Sequence, residues 1–160
     1  MKPLGFLRRN FEHGVHPAHH KTQTEDLPIQ RVPFGKHYVM PLGQHLCVPA
    51  KPVVSAGESV QRGQLIAEPG GFVSTGLHSP VTGTVKEIGD FRGADGRFAP
   101  AIAIEADAFA TQQIDAGPGV DWQSLSLEDF IEAVQLAGLV GMGGAAFPAH
   151  VKRSVPDGVK

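Results

Sequence analysis

Short apolar runs alternate with glycine and proline turns through the middle of the chain. The runs are HYVMPLG, CVPAKPVV, QRGQLIAEPGG, LHSPVTGTVKEIGD and FAPAIAIEA. Runs of this length, rich in Val, Ile and Leu and bounded by turn residues, are typical of a compact all-β unit. We therefore predict a mainly β domain over residues 31–108, with a last strand from about Ala101 to Glu105.

The spacing of apolar residues changes to a helical period after residue 125. Apolar residues follow at helical intervals at Leu127, Phe130, Ile131, Val134 and Leu136 or Ala137. Ser126 is a suitable N-cap with Asp129 three residues later, which approximates a capping box. The helix is predicted to end at Gly138 or Gly141, because glycine readily adopts the left-handed conformation of a C-cap. Residues 109–125, which contain AGPG, are predicted to be a linker.

Residues 1–30 are polar and are broken by prolines, so they predict an extended arm with little regular structure. Four histidines lie in the arm: His13, His16, His19 and His20. A metal site there is disfavoured, because Gly14 and Pro17 prevent a regular helix that would present three ligands together. We predict that the arm is solvated and that the chain holds no metal ion.

Charge and cysteine content exclude several classes of function. The chain has 14 basic and 16 acidic residues, a formal net charge of −2, which argues against nucleic-acid binding. Cys47 is the single cysteine, so neither a disulfide nor a cysteine-held cluster can form within these residues. Its apolar neighbours predict a buried, inert thiol. No run of about 18 apolar residues is present, so we predict no transmembrane segment and membrane contact only through partners.

The central segment resembles the biotinyl/lipoyl type of barrel-sandwich hybrid. The resemblance rests on the turn and core residues Gly57, Val60, Gly63, Gln64, Ser79, Pro80, Gly83 and Val85. In such a fold, Gly57 and Gly83 would form tight turns with positive φ. The core would then be filled by Val60, Leu65, Ile66, Val81 and Val85.

Carrier domains of that type attach their cofactor to a lysine at a hairpin tip. That position falls near Phe72, and no lysine lies between Lys51 and Lys86. A swinging-arm function is therefore disfavoured, and a docking function remains, with the GGF turn (Gly70, Gly71 and Phe72) as an exposed apolar tip. The interpretation that Phe72 only closes the end of the sandwich is favoured over docking, since most apolar residues lie in a core or at its rim. His45 and His78 are predicted to be hydrogen-bonded structural residues.

A glycine cluster follows the predicted helix, in the string GLVGMGGAAFPAHVKR at 138–153. Glycines allow a backbone to approach a phosphate closely. However, the string matches neither the dinucleotide fingerprint after a strand nor the lysine-bearing P-loop. Local physics alone therefore favours a helix end over a phosphate site.

The same string resembles the flavin-binding subunit of complex I and RnfC, the C subunit of the Rnf ion-translocating electron transport complex. Three further strings resemble the RnfC family: HGVHPAHHK, PLGQHLCVPAKPVVSAGESVQRGQLI and GGFVSTGLHSPVTGTV. The resemblance extends over residues 11–160. It implies a barrel-sandwich hybrid followed, over residues 126–160, by the opening of an incomplete α/β domain that binds FMN and NADH, with 4Fe–4S clusters further downstream.

The resemblance also implies a partial cofactor site. The backbone from Gly141 would lie against the flavin phosphate and ribose, and Lys152 would be the positive group near the flavin. The residues placed against the cofactor are Gly141, Gly143, Gly144 and Ala145. Met142 stands where complex I tends to have arginine, and Ala146 where the family usually has glycine. If Ala146 needs positive φ, it costs about 1–2 kcal/mol.

In the parent family, the implied activity is electron transfer between ferredoxin and NAD(H) coupled to ion translocation. The protein is implied to be peripheral, on the cytoplasmic side of the bacterial inner membrane, with the other subunits of the complex as partners. We expect these residues alone to be a docking or structural module, with no catalytic residue, no activity and no tightly bound FMN or NAD. Two alternatives stay open: the A subunit of the sodium-pumping NADH:quinone reductase, and a non-carrier biotinyl/lipoyl-like binding module.

Overall fold

The computed structural model describes residues 18–114 and 119–154. It divides the chain into two compact units, Met1–Pro33 and Phe34–Lys160. In the first unit, the described residues of the predicted arm form one turn, in which the amides of Thr24 and Glu25 both donate to the Lys21 carbonyl at 2.8 Å. His13 and His16 lie outside the described residues.

The second unit is mainly β, as predicted. Its strands are β1 (His37–Pro41), β2 (Lys51–Pro52), β3 (Ser59–Val60), β4 (Leu65–Glu68), β5 (Leu77–His78), β6 (Gly83–Arg92) and β7 (Phe98–Ala106). They form two antiparallel sheets, a four-stranded one in the order β1-β7-β6-β3 and a three-stranded one in the order β2-β4-β5. Helix α1 (Leu127–Leu136) and a short 3-10 helix (Val151–Arg153) follow.

The two longest strands, β6 and β7, form a hairpin. The predicted last strand is present but is longer than expected, because it runs from Phe98 to Ala106 and pairs with β6 along its whole length. The hairpin closes through a bond from the Gly93 amide to the Arg97 carbonyl at 2.7 Å. A register shift lies between Val85 and Glu87 on β6. A bulge of this kind bends a strand and increases its twist.

The core lies in the second unit and is aliphatic. Its buried members are Leu42, Ala50, Val54, Val60, Ile66, Ala67, Leu77, Val81, Val85, Ile102 and Ile104. Four of the five predicted core residues are among them. The fifth, Leu65, is only half-buried. The pairing of β4 with β5 shifts register between Leu65 and Ala67, so the strict alternation of faces that the prediction assumed is interrupted at this point.

The two glycines expected to form turns have different roles. Gly57 has φ +87°, as predicted. Gly83 does not adopt positive φ, so the predicted turn conformation was wrong. Gly83 is instead the first residue of β6, where a Cβ would lie 2.1 Å from the Glu105 carbonyl oxygen. Close approach of two backbones, and not turn geometry, requires glycine at this position.

Helix α1 begins and ends where its capping residues predict. The Ser126 side chain accepts a bond from the Asp129 amide at 3.1 Å and donates one to the Asp129 carboxylate at 2.6 Å. The helix ends at Leu136, and Gly138 follows with φ +72°. Across 18–114 and 119–154, the structure contains no helix with the length and apolar character needed to cross a membrane.

Candidate functional site

The glycine cluster forms a small hairpin after α1, and not merely a helix end. The Gly141 amide donates to the Phe147 carbonyl at 2.8 Å, and the Ala149 amide donates to the Leu139 carbonyl at 2.9 Å. We call residues 139–149 the glycine hairpin. Its two arms are antiparallel, so the residues between them form an exposed loop. Sequence reasoning weighed a helix end against a phosphate loop and did not predict this pairing.

The two glycines in the loop of the hairpin are not explained by the protein's own packing. Neither Gly143 nor Gly144 has positive φ. A Cβ built on either residue meets no atom of the described structure within 4 Å. Glycine at these positions therefore serves neither a strained conformation nor a close contact within the described chain. It leaves the backbone open to approach by a ligand.

The side chain of Lys152 lies against the base of the glycine hairpin. Its Nζ lies 5.8 Å from the centroid of the Phe147 ring, within the range of a cation–π contact. The same atom lies 3.4 Å from the position that a Cβ on Gly141 would occupy. The structure thus brings Lys152 and Gly141 together. The remaining predicted site residues, Gly143, Gly144 and Ala145, are exposed in the loop. Their contact with a flavin stays a prediction.

The two departures from the family motif are both in the loop. Met142 is fully exposed at 101%, and its thioether is neutral, so no charge is presented where complex I tends to have arginine. Ala146 has φ +44°, in the left-handed region. A side chain with a Cβ is strained there, whereas glycine is not. Ala146 therefore has the positive φ on which the expected steric cost depended.

Replacing Ala146 with glycine is expected to stabilise the hairpin by about 1 kcal/mol, since it removes the steric cost of positive φ. Hydrogen exchange of the Gly141 and Ala149 amides should slow by roughly fivefold. Ala145→Gly is the matched control, because Ala145 has no positive φ and should gain nothing. Equal slowing in both variants would contradict the assignment of strain to Ala146.

The tip loop of the sandwich, residues 70–76, contains the GGF turn and contacts the end of α1. Gln135 lies in the last turn of the helix, and its Nε2 donates to three carbonyls of the tip loop. The acceptors are Gly71 at 3.1 Å, Phe72 at 3.3 Å and Ser74 at 3.0 Å. The Gly76 amide donates in turn to the Gln135 carbonyl at 3.1 Å. One helical residue therefore fixes both ends of the tip loop.

His150, directly after the glycine hairpin, contacts the same loop. Its side chain is fully buried, and its Nε2–H donates to the Phe72 carbonyl at 2.6 Å. The two rings are in edge-to-face contact with centroids 5.6 Å apart. A carbonyl can only accept, so Nε2 carries the proton, and Nδ1 has no hydrogen-bond partner in the described part of the chain. The motif drew attention to Lys152 and gave no signal for His150.

Two glycines allow the tip loop and the helix end to pack closely. A Cβ on Gly76 would lie 2.6 Å from the Leu136 carbonyl oxygen, and one on Gly138 would lie 2.6 Å from the Gly76 carbonyl oxygen. His78 is adjacent to this contact, with its Nδ1 3.6 Å from the Gly138 Cβ position. Burial lowers the pKa of His78, since desolvation disfavours its charged form.

Phe72 combines the two roles considered for it. Its side chain is 60% exposed, as expected of an apolar tip. Its carbonyl and its ring edge, however, contact Gln135 and His150 of the same chain. These internal contacts agree with the interpretation that Phe72 closes the end of the sandwich, and docking of the GGF turn to an external partner stays a prediction.

The predictions for His45 and Cys47 had different outcomes. His45 is a structural residue as predicted, because its Nε2 accepts from the Thr75 amide at 3.2 Å. Cys47 was predicted to be buried, which was wrong, because it is exposed and has φ +78°. It lies in an irregular loop between β1 and β2, where the apolar run does not enter the core. The described ranges contain no group of three or more His, Cys, Asp or Glu that could hold a metal ion.

Comparisons with known proteins match most of the chain. The model of the RnfC barrel sandwich hybrid domain matches residues 9–109, which confirms the predicted fold class. The C subunit of the proton-translocating ferredoxin:NAD(+) oxidoreductase complex of Clostridium ljungdahlii is 37% identical over 155 residues, 96% of this chain and 34% of that protein. The C subunit of the ion-translocating oxidoreductase complex of Pseudomonas aeruginosa is 41% identical over 134 residues, which are 82% of this chain and 17% of that protein.

The name of a third relative specifies a different ion from that of the Clostridium ljungdahlii protein. The C subunit of the Na(+)-translocating ferredoxin:NAD(+) oxidoreductase complex of Acetobacterium woodii is 33% identical over 153 residues, 94% of this chain and 34% of that protein. The chain thus spans about a third or less of the length of these curated relatives. All three are named as the C subunit of an oxidoreductase complex.

Proposed function

This chain belongs to the RnfC family, and from that premise we propose that it supplies the sandwich domain and the first edge of the flavin site of such a protein. The activity proposed for the whole protein is electron transfer between ferredoxin and NAD, coupled to ion translocation. Two of the relatives carry ferredoxin and NAD(+) in their names. Because one is named for protons and the other for Na(+), the proposal includes ion coupling without specifying the ion.

The flavin proposal rests on one observation, the pair of loop glycines that the chain itself does not require. Gly143 and Gly144 leave the loop backbone uncovered, and the Lys152 amine lies at the base of the same hairpin. Exposed backbone amides next to a positive charge suit a phosphate group. The phosphate and ribose of FMN would therefore lie against Gly141, Gly143, Gly144 and Ala145, with Lys152 as the positive group near the flavin. The flavin ring would supply the redox chemistry.

The other cofactors of the parent family do not fit these residues. A 4Fe–4S cluster is held by four thiolates, and Cys47 is the single cysteine of the chain. Ligands for such a cluster, and the main contacts for NAD(H), would have to come from outside these 160 residues. We propose that the residues described here bind the flavin phosphate weakly and serve mainly to dock and position.

The proposed setting is the cytoplasmic face of the bacterial inner membrane, where the other members of the complex would hold this protein peripherally. The curated relatives support the membrane association, because each is named as part of an ion-translocating complex. We further propose the division predicted from the sequence, with an arm over 1–30, the sandwich over 31–108, a linker over 109–125 and the opening of the flavin domain over 126–160.

Titration with FMN is expected to shift the backbone amide NMR signals of the hairpin loop, with a dissociation constant on the order of 1 mM. Affinity should be low because the proposed contacts come from a single exposed loop, whereas ligand pockets usually bury most of a ligand's surface. Riboflavin, which lacks the phosphate, should shift these signals at least tenfold less at equal concentration. Gly143→Val should abolish the FMN response, because its side chain would fill the open space over the loop.

Gly43→Val is the matched control, since Gly43 also lacks positive φ and has open space at its Cβ position. It should leave the FMN response unchanged. Equal responses to FMN and riboflavin, or an unchanged response in Gly143→Val, would refute phosphate binding by the loop. Micromolar binding of FMN would show instead that the site within these residues is more complete than proposed.

A further inference from the structure

We propose that the tip loop of the sandwich, residues 70–76, positions the glycine hairpin, with Gln135 and His150 as the positioning residues. Carriers of this fold use the equivalent turn to present a cofactor-bearing lysine. In this chain the turn contacts the segment that carries the hairpin. The inference rests on the proposed function of the hairpin as a phosphate loop, and it assigns to the sandwich the task of setting the position of that loop.

The first step of the inference is the close packing of the backbones. Gly76 in the tip loop and Gly138 after α1 each lie where a Cβ would come within 2.6 Å of a carbonyl oxygen of the other segment. Both residues must therefore be glycine for the segments to pack this closely. Since Gly138 directly precedes the glycine hairpin, this contact fixes the start of the first arm.

The second step concerns the carbonyls of the tip loop. Three of them point at the single amide nitrogen of Gln135, which has two N–H donors. A loop whose carbonyls are satisfied from another segment depends on that segment for its backbone hydrogen bonds. The tip loop and α1 are thus ordered together, and a displacement of one would leave polar groups of the other unpaired.

The third step is the contact at the other end of the hairpin. His150 follows the second arm and directly precedes the 3-10 helix that carries Lys152. Its Nε2 bond to the Phe72 carbonyl is short, at 2.6 Å, and its ring is fully buried. The tip loop therefore holds the hairpin at its start through Gly138 and at its end through His150. The loop between them is therefore positioned from both sides, and the Lys152 amine is positioned from the His150 end.

A matched pair of substitutions tests this directly in the full chain. His150→Gln retains a donor at the ε position, whereas His150→Met has nearly the same length and volume without the donor. In His150→Met, hydrogen exchange of the Gly141 and Ala149 amides should speed up by roughly tenfold, because a buried hydrogen bond is lost. His150→Gln should restore exchange to within about twofold of the unmodified chain.

The amides of β6 and β7 provide an internal check and should be unaffected in both variants. If His150→Met also speeds hydrogen exchange in β6 and β7, the substitution has disturbed the whole fold, and Gln135→Met is measured in its place. Gln135→Met should speed exchange in both the glycine hairpin and the tip loop. Unchanged hairpin exchange in His150→Met, or equal acceleration in His150→Met and His150→Gln, would overturn the positioning role.

The FMN titration separates this inference from the proposed function. Should the unmodified chain show no FMN response while His150→Met still loosens the hairpin, the flavin proposal fails and the positioning of the hairpin by the tip loop is upheld. Should FMN bind normally while His150→Met leaves the hairpin unchanged, the flavin proposal stands and the positioning role is wrong. Both proposals together predict at least tenfold weaker FMN binding in His150→Met.

Discussion

Replacing Ile66 with alanine is expected to lower the free energy of unfolding by about 4 kcal/mol, the largest effect we predict for a single substitution. Ile66 lies in β4, the central strand of its sheet, and its side chain is completely buried in the aliphatic core. The loss combines the transfer energy of the removed methyl and methylene groups with the cost of a cavity. Urea denaturation followed by far-ultraviolet circular dichroism would measure the change.

Ile88→Ala is the matched control for Ile66→Ala. Ile88 lies in β6 and is 36% exposed, so truncation removes fewer contacts and leaves no closed cavity. Its expected cost is below about 1 kcal/mol. Similar losses in the two variants would mean that the aliphatic cluster is not the main source of stability. Because domains of this size are stable by only about 5–15 kcal/mol, Ile66→Ala should leave little margin.

Replacing Gly83 with alanine is expected to lower the free energy of unfolding by about 3 kcal/mol, because the new methyl group would overlap the backbone of the neighbouring strand. A Cβ on Gly83 would lie 2.1 Å from the Glu105 carbonyl oxygen and 2.9 Å from the Ala106 Cα. Neither of these atoms belongs to a flexible side chain. The strand pairing at the start of β6 must therefore shift, and the midpoint of thermal unfolding should fall by more than about 10 °C.

Gly89→Ala tests whether position, and not loss of glycine as such, causes the effect. Gly89 lies in the same strand, and a Cβ there would meet only the Glu87 side chain, at 3.4 Å. That side chain can move, so the expected change is within about 0.5 kcal/mol. A comparable loss at both positions would contradict the explanation by backbone proximity.

The tip loop connects the fold to its proposed function. In a carrier domain the turn at this position must be free to present a cofactor. Here Phe72 contributes its carbonyl to His150, and the loop carbonyls are directed at Gln135. The barrel-sandwich scaffold thus presents the tip loop to Gln135 and His150 of the same chain.

Local sequence signals predicted the elements whose structure depends on nearby residues. The helix begins at Leu127 after its Ser126 cap and ends before Gly138, because capping and left-handed conformations are decided within a few residues. Four of the core residues, Val60, Ile66, Val81 and Val85, were predicted because the turn motifs resemble those of the barrel-sandwich fold. The family and its barrel-sandwich hybrid followed from several motifs in a fixed order.

Predictions failed where a residue's environment is set by distant segments. Cys47 lies in an apolar run and was expected to be buried, but its loop remains outside the core. Gly83 was expected to form a turn, but the Glu105 backbone determines its role. The hydrogen bond from His150 to Phe72 joins residues 78 positions apart. No local pattern contains information on such a contact.

By itself, the sequence determined the mainly β fold, the capped helix, the family and the position of the glycine cluster, since periodicity, turn residues and motif order are properties of neighbouring residues. The tertiary structure alone decided that the cluster is a hairpin, that Lys152 returns to its base, and that Gln135 and His150 attach it to the tip loop. These features depend on backbone approach and hydrogen bonds between segments far apart in the chain, and such contacts form only when the sheets and the helix pack together.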